Sequence, residues 1–88
     1  MFIFKNIEIL GMWESNSVYV AIGDNIKKYR LERGWTQQDL ANRCKSTNRE
    51  KISRMENSRS DYMLSTLLDV CEALSVDLMS LIDGKGDR

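Results

Sequence analysis

The chain has 88 residues, and its 13 basic and 13 acidic side chains give a formal net charge of zero. This length allows one small domain that buries only part of its surface, so we expect a partner subunit. With two cysteines and no histidine, the chain cannot form a tetrahedral zinc site from its thiols alone. The sequence also lacks any combination of residues that would make up a catalytic site for a known class of reaction. The sequence therefore predicts a protein that is not an enzyme and uses no metal or cofactor.

Residues 1–21 are predicted to form an N-terminal arm. Two clusters of β-branched and aromatic residues, ending with residues 18–20, flank a turn-like segment over residues 11–17, which indicates two short strands. An isolated hairpin is marginal in water, so the arm should pair across a dimer or pack on the helices. Met12 as the true start codon is the alternative. The arm has neither a cleavage-like site nor a membrane-spanning length, so we expect a cytoplasmic protein without a membrane partner.

The first helix is predicted over residues 24–33, with Ile22, Ile26 and Tyr29 inward and Gly34 after its end. The second begins at Thr36, a good N-cap, and Asp39 completes a capping-box-like start.

The third helix is capped by Ser46, Thr47 or Asn48, and the i, i+3 spacing of Ile52 and Met55 places both on one face. The opposite face carries long polar side chains. Two short amphipathic helices joined by a tight polar turn have the geometry of a helix-turn-helix.

After a polar loop over residues 57–61, a fourth helix is predicted over residues 64–74, and a fifth from its N-cap Asp77 to residue 82. Residues 85–88 are expected to be a disordered tail. Most of the core is expected from Leu64, Leu67, Leu68, Cys71, Leu74, Val76, Leu78, Leu81 and Ile82.

The charge is unevenly distributed along the chain. Residues 22–60 carry ten basic and five acidic side chains, whereas residues 61–88 carry two basic and six acidic ones. A basic motif half beside an acidic helical half would orient the molecule toward phosphates. An ordinary solvated charge mixture is the alternative.

Four blocks in order, residues 22–30, 34–41, 52–57 and 64–82, resemble the Cro/CI-type helix-turn-helix regulators, also called the xenobiotic-response-element family. The resemblance implies an all-α, five-helix, lambda-repressor-like DNA-binding domain over residues 22–84, here preceded by a short β-forming arm. The family usually has glycine in the turn after the second helix, where Lys45 or Ser46 would have to adopt the left-handed conformation. This turn is also one residue longer, and Ser75 stands where a C-capping glycine is common.

Base contacts are expected from the third helix. The guanidinium groups of Arg49 and Arg54 fit guanine O6 and N7 in the major groove, and Glu50 fits a cytosine amino group as acceptor. Asn48 and Ser53 are further candidates. A phosphate contact or a surface ion pair is the alternative for each arginine.

Phosphate contacts are expected around this helix and at the start of the second, where the resemblance implies that Gln37 touches the DNA backbone. The candidates are Thr36, Gln37, Lys45, Thr47, Lys51, Asn57 and Arg59. For Arg30 and Glu56 the resemblance implies an ion pair between the first and third helices, with a structural role.

We therefore expect a transcriptional regulator, a repressor or autoregulator, that binds a palindromic operator in double-stranded DNA as a homodimer. The resemblance leaves open a phage-type repressor, a restriction–modification controller and an antitoxin. The alternative class is a protein-interaction module whose arm binds a partner such as a toxin. No small-molecule ligand is indicated.

Overall fold

The computed structural model describes residues 15–57 and 62–85, and every regular element in these ranges is an α-helix. The prediction of an all-α domain with five helices is confirmed. No helix in these ranges is long and apolar enough to cross a membrane. The helices are α1 (Ser15–Glu32), α2 (Gln37–Arg43), α3 (Arg49–Glu56), α4 (Leu64–Leu74) and α5 (Leu78–Asp83).

The first helix is longer than the sequence suggested. It begins at Ser15, so the predicted strand over residues 18–20 is wrong, and the predicted first strand lies outside the described residues. Val18 packs against the core, one helical turn before the buried Ile22, and the ring of Tyr19 meets that of Tyr62 edge-on with centroids 5.1 Å apart. Packing of this kind overrides the β-preference of Val and Tyr, which is a weak local tendency.

Local capping signals position the helix ends as predicted. Gly34 has a φ of 73° and its N–H donates to the carbonyl of Leu31 at 3.0 Å, which ends α1. Thr36 and Asp39 form a complete capping box at the start of α2. The side chain of Asn48 caps α3 by accepting the N–H of Lys51 at 2.8 Å.

The core lies where all five helices meet, and α4 turns one stripe of side chains toward it. Leu64 and Leu68 do not belong to this stripe, contrary to prediction, because they are 61% and 46% exposed. Leu68 follows Leu67 by one residue and so points about 100° away from it around the helix. The side chains with almost no exposed surface are Ile26, Tyr29, Leu40, Ile52, Met55, Val70, Leu74 and Leu81.

Helices α1 and α3 cross at Gly23. A Cβ atom at this position would lie 2.4 Å from the carbonyl oxygen of Met55 and 3.0 Å from that of Glu56. The backbone of α1 therefore rests directly on the last turn of α3, and only glycine leaves room for this approach.

Candidate nucleic-acid interface

Helix α3 turns a narrow apolar face toward the core. Ile52 is fully buried and Met55 is 1% exposed, and they are the only two buried residues among its eight. Arg49, Glu50, Lys51 and Arg54 are exposed on the other side of the helix, as the helical spacing of the buried pair requires.

The predicted base-contact residues lie together on this helix. Arg49, Glu50 and Arg54 are exposed and Ser53 is half-buried. Arg49 and Ser53 are four residues apart and so lie on the same side of the helix, as do Glu50 and Arg54. Asn48 is at the start of α3, where its side-chain oxygen serves as the cap.

The predicted phosphate contacts flank α3, but several are already engaged within the chain. Lys51 is exposed, and the exposed ammonium of Lys45 lies 3.3 Å from the carboxylate of Glu72. The amide of Asn57 donates to the carbonyl of Ser53 at 2.9 Å. Arg59 lies outside the described residues.

Thr36 and Thr47 use their hydroxyl groups internally. The Thr36 oxygen accepts the N–H of Asp39 at 3.0 Å. Thr47 is 5% exposed and its hydroxyl donates to Asp69 at 2.8 Å. Its side chain is thus committed to Asp69 rather than presented to a phosphate.

Arg30 of α1 and Glu56 of α3 form a bidentate ion pair. Nε of Arg30 donates to Oε2 of Glu56 at 2.6 Å and Nη2 donates to Oε1 at 3.0 Å, with side chains only 9% and 3% exposed. Arg30 also donates to the carbonyl of Trp35 at 2.8 Å, and the amide of Gln37 donates to Oε1 of Glu56 at 3.1 Å. The hydrogen bond to Glu56 raises the pKa of Arg30. The ends of α1 and α3 and the start of α2 therefore share one polar network.

The turn between α2 and α3 is closed by a residue of α4. Asp69 accepts the backbone N–H groups of Lys45 at 2.8 Å, Ser46 at 2.9 Å and Thr47 at 3.0 Å. It also accepts the hydroxyls of Thr47 and Ser46, at 2.8 and 3.3 Å. Burial of Asp69 favours its neutral form, but these hydrogen bonds outweigh that effect and lower its pKa to about 2.

The expectation of a left-handed residue at Lys45 or Ser46 is wrong. In residues 15–57 and 62–85, Ser75 is the only residue other than glycine with a positive φ, at 61°. The turn has no need of the conformation because its N–H groups converge on the Asp69 carboxylate instead.

A family model described as helix-turn-helix matches residues 26–81. The chain belongs to the Cro/CI-type helix-turn-helix family. Its fold is similar to that of the hypothetical transcription factor NHTF from Neisseria, which is 26% identical, with 78% of each chain covered and a TM-score of 0.70. The clp gene regulator ClgR from C. glutamicum is 23% identical, with 74% of this chain and 82% of that chain covered and a TM-score of 0.67, and shows the fold alone. No curated protein matches the sequence.

In this helix-turn-helix protein, Asp69 is the important residue that sequence reasoning missed. An available signal was its charge: Asp69 interrupts the apolar run of Leu67, Leu68, Val70 and Cys71. A buried carboxylate in such a run needs hydrogen-bond donors, and the glycine-free turn offered them.

Proposed function

We propose that this helix-turn-helix protein is a transcriptional repressor that binds a palindromic operator as a homodimer, with α3 in the major groove. The observation that carries the proposal is the exposed polar face of α3, opposite the two buried residues Ile52 and Met55. A helix held in this way can enter a groove without disturbing the domain's packing.

The chemistry of this face suits base recognition. Arg49 and Arg54 each supply a fork of N–H donors for the O6 and N7 acceptors of guanine, and Glu50 supplies an acceptor for the amino group of cytosine. Asn48 and Ser53 lie beside them as further donors or acceptors.

Phosphate contacts would surround the base contacts. Lys51 and Lys45 place ammonium groups near the helix, and Thr36 and Asn57 lie at the start of α2 and the end of α3. The amide of Gln37 carries two N–H donors, so one holds Glu56 while the other is available to a phosphate oxygen. Arg59, just beyond the described residues around α3, completes the set.

The described surface offers apolar area for a second subunit. Met63, Leu64 and Leu68 are 71%, 61% and 46% exposed at the start of α4, and Met79 of α5 is 59% exposed. Leu64 and Leu68 are four residues apart and so lie on the same side of α4, and an exposed apolar patch is typical of a protein contact. A pairing role of residues 1–21 is proposed as well.

The same apolar side chains favour a second candidate function, in which the protein is chiefly a binding module for another protein, as an antitoxin is for a toxin. The two candidate functions differ in the DNA binding that they require. A DNA regulator must bind a particular duplex with an affinity that falls steeply with salt, whereas a binding module need not.

The test is selection of bound duplexes from sheared genomic DNA, followed by titration of the selected sequence and light scattering of the complex. We expect one enriched inverted repeat and two chains per duplex. Enrichment of no sequence, with a stoichiometric protein partner co-purifying instead, would overturn the repressor proposal in favour of the binding module.

A further inference from the structure

Asp69 belongs to α4, yet it bonds to the turn that precedes α3. It spans sequence separations of 22 to 24 residues to reach three consecutive backbone N–H groups. Hydrogen bonds to a carboxylate are about twice as strong as neutral ones. The turn is therefore tied to α4 by its backbone, and substitutions in the turn other than to proline leave these N–H donors in place.

This tie lies next to the first residues of α3. The N–H of Thr47 is the last of the three, Asn48 caps the helix, and Arg49 is its first residue. A shift of the turn would therefore carry the cap and Arg49 with it. The other end of α3 is held independently, by the bidentate bond between Arg30 and Glu56.

We infer that Asp69 is a positioning residue for DNA reading: by holding the N–H groups of Lys45, Ser46 and Thr47, it fixes where α3 begins and so where Arg49 and Glu50 meet the bases. This inference rests on the proposed function. Asp69 does not itself touch DNA, since it is 8% exposed and its oxygens face the turn.

The positioning role of Asp69 can be distinguished from the effect of its charge on DNA binding. Asp69→Asn removes one negative charge, and the uniform effect of that change on DNA binding is a gain in affinity. The asparagine amide would also point N–H donors at N–H donors in the turn. Because this charge effect is the same for every duplex, it leaves the ratio of selected to unrelated affinity unchanged. A loss of base preference in this variant would therefore come from the lost position of the helix and not from the lost charge.

Two variants serve as matched controls. Asp77→Ala also removes one negative charge and costs stability, because Asp77 caps α5 by accepting the N–H of Ser80 at 2.9 Å. Glu72→Gln removes the same charge from α4, at an exposed position one helical turn from Asp69. Neither residue bonds to the backbone of the turn.

The experiment uses the duplex that the wild-type chain selects from a random library, with single-base variants and an unrelated duplex as comparisons. Titrations are run at a temperature where denaturant melts show each variant to be folded. Asp69→Asn is expected to lower the ratio of selected to unrelated affinity by at least about tenfold, while Asp77→Ala and Glu72→Gln keep that ratio. Amide exchange at residues 45–47 should accelerate in Asp69→Asn alone.

Should Asp69→Asn not fold, Thr47→Val removes only one of the five hydrogen bonds and should lose base preference in the same direction by a smaller factor. The inference would be overturned if Asp69→Asn, or Thr47→Val in its place, prefers the selected duplex over the unrelated one as strongly as the wild type does. That result would leave the proposed function intact. A wild-type chain that selects no sequence would overturn the proposed function itself, and this role of Asp69 with it.

Discussion

The guanidinium of Arg30 meets the carboxylate of Glu56 through two hydrogen bonds, at 2.6 and 3.0 Å, in a setting where both side chains are almost completely buried. The pair joins α1 to the last turn of α3. A buried pair of this kind supports geometry more surely than it adds net stability, because two charges must be desolvated to form it.

Removing one partner should be costly. Glu56→Ala leaves the Arg30 guanidinium buried with only the carbonyl of Trp35 as acceptor, so we expect a loss of roughly 2–4 kcal/mol in the free energy of unfolding. The exposed pair of Lys45 and Glu72 provides the control, since Glu72→Ala should cost about 0–1 kcal/mol. Denaturant melts measure both.

The double variant of Arg30 and Glu56 should recover part of the loss in the free energy of unfolding. Strictly additive losses of the two single variants would show that the two residues do not interact.

Asp69 should make the free energy of unfolding decrease at low pH. Its pKa falls from 3.8 to about 2 on folding, so its contribution is complete above pH 3.8 and disappears as the pH falls through 2. The shift corresponds to about 2 kcal/mol. The stability difference between wild type and Asp69→Asn should therefore shrink as chemical melts are repeated from pH 5 down to pH 2. A difference that stays constant over this range would mean that Asp69 has an ordinary pKa.

Gly23→Ala should destabilise the domain although alanine is the better helix former. Substituting a helical glycine ordinarily gains up to about 1 kcal/mol, but here the new Cβ would lie 2.4 Å from a carbonyl oxygen of α3. Separating the two backbones should give a net loss of about 1–3 kcal/mol. Lys27→Ala, at an exposed position of α1, is the control and should change stability by less than about 0.5 kcal/mol. A more stable Gly23→Ala protein would show that the helices are farther apart.

Ser75→Gly should stabilise the protein. Ser75 ends α4 with φ 61° and ψ 40°, a left-handed conformation that a residue with a Cβ adopts at a cost, so we expect a gain of about 0.5–1 kcal/mol. Ser65→Gly, at an exposed position of the same helix, should instead lose stability, because glycine loses more backbone entropy than serine when it is fixed in a helix. Thermal melts of the two variants should shift in opposite directions, and a lower melting temperature for Ser75→Gly would contradict this account.

Arg49 and Arg54 should read bases, whereas Gln37 and Lys51 should only position the protein. Alanine at either arginine is expected to cost about 1–3 kcal/mol on the selected duplex and to flatten preference at one base pair. Alanine at Gln37 or Lys51 should weaken all sequences about equally, and for Lys51 should also reduce the log–log salt slope by roughly one. Titration against single-base variants at several salt concentrations separates these effects. If both arginine variants keep the full base preference, sequence is read through Asn48, Glu50 or Ser53.

The sequence predicted those parts of the fold that depend on near neighbours. The capping box of Thr36 and Asp39, the end of α1 at Gly34 and the cap of α5 at Asp77 each involve residues within four positions of one another. Such signals are local, so a single sequence is enough to recognise them.

Features that depend on distant partners were not predictable in this way. The start of α1 involves a contact of Tyr19 with Tyr62, and the turn before α3 depends on Asp69, 22 to 24 residues farther along the chain. The sequence placed the base-reading candidates on one helix, but it could not show that Thr47 is buried or that Gln37 already holds Glu56.

If α3 reads DNA as proposed, recognition and folding use different side chains of this helix. Arg49, Glu50, Ser53 and Arg54 are not among the buried residues, so substitutions there would alter the outer face without opening a cavity in the core. Under the proposed function, duplicated genes for such a chain could diverge in the DNA they read while keeping one scaffold. The same freedom would make this helix a starting point for redesigning sequence preference.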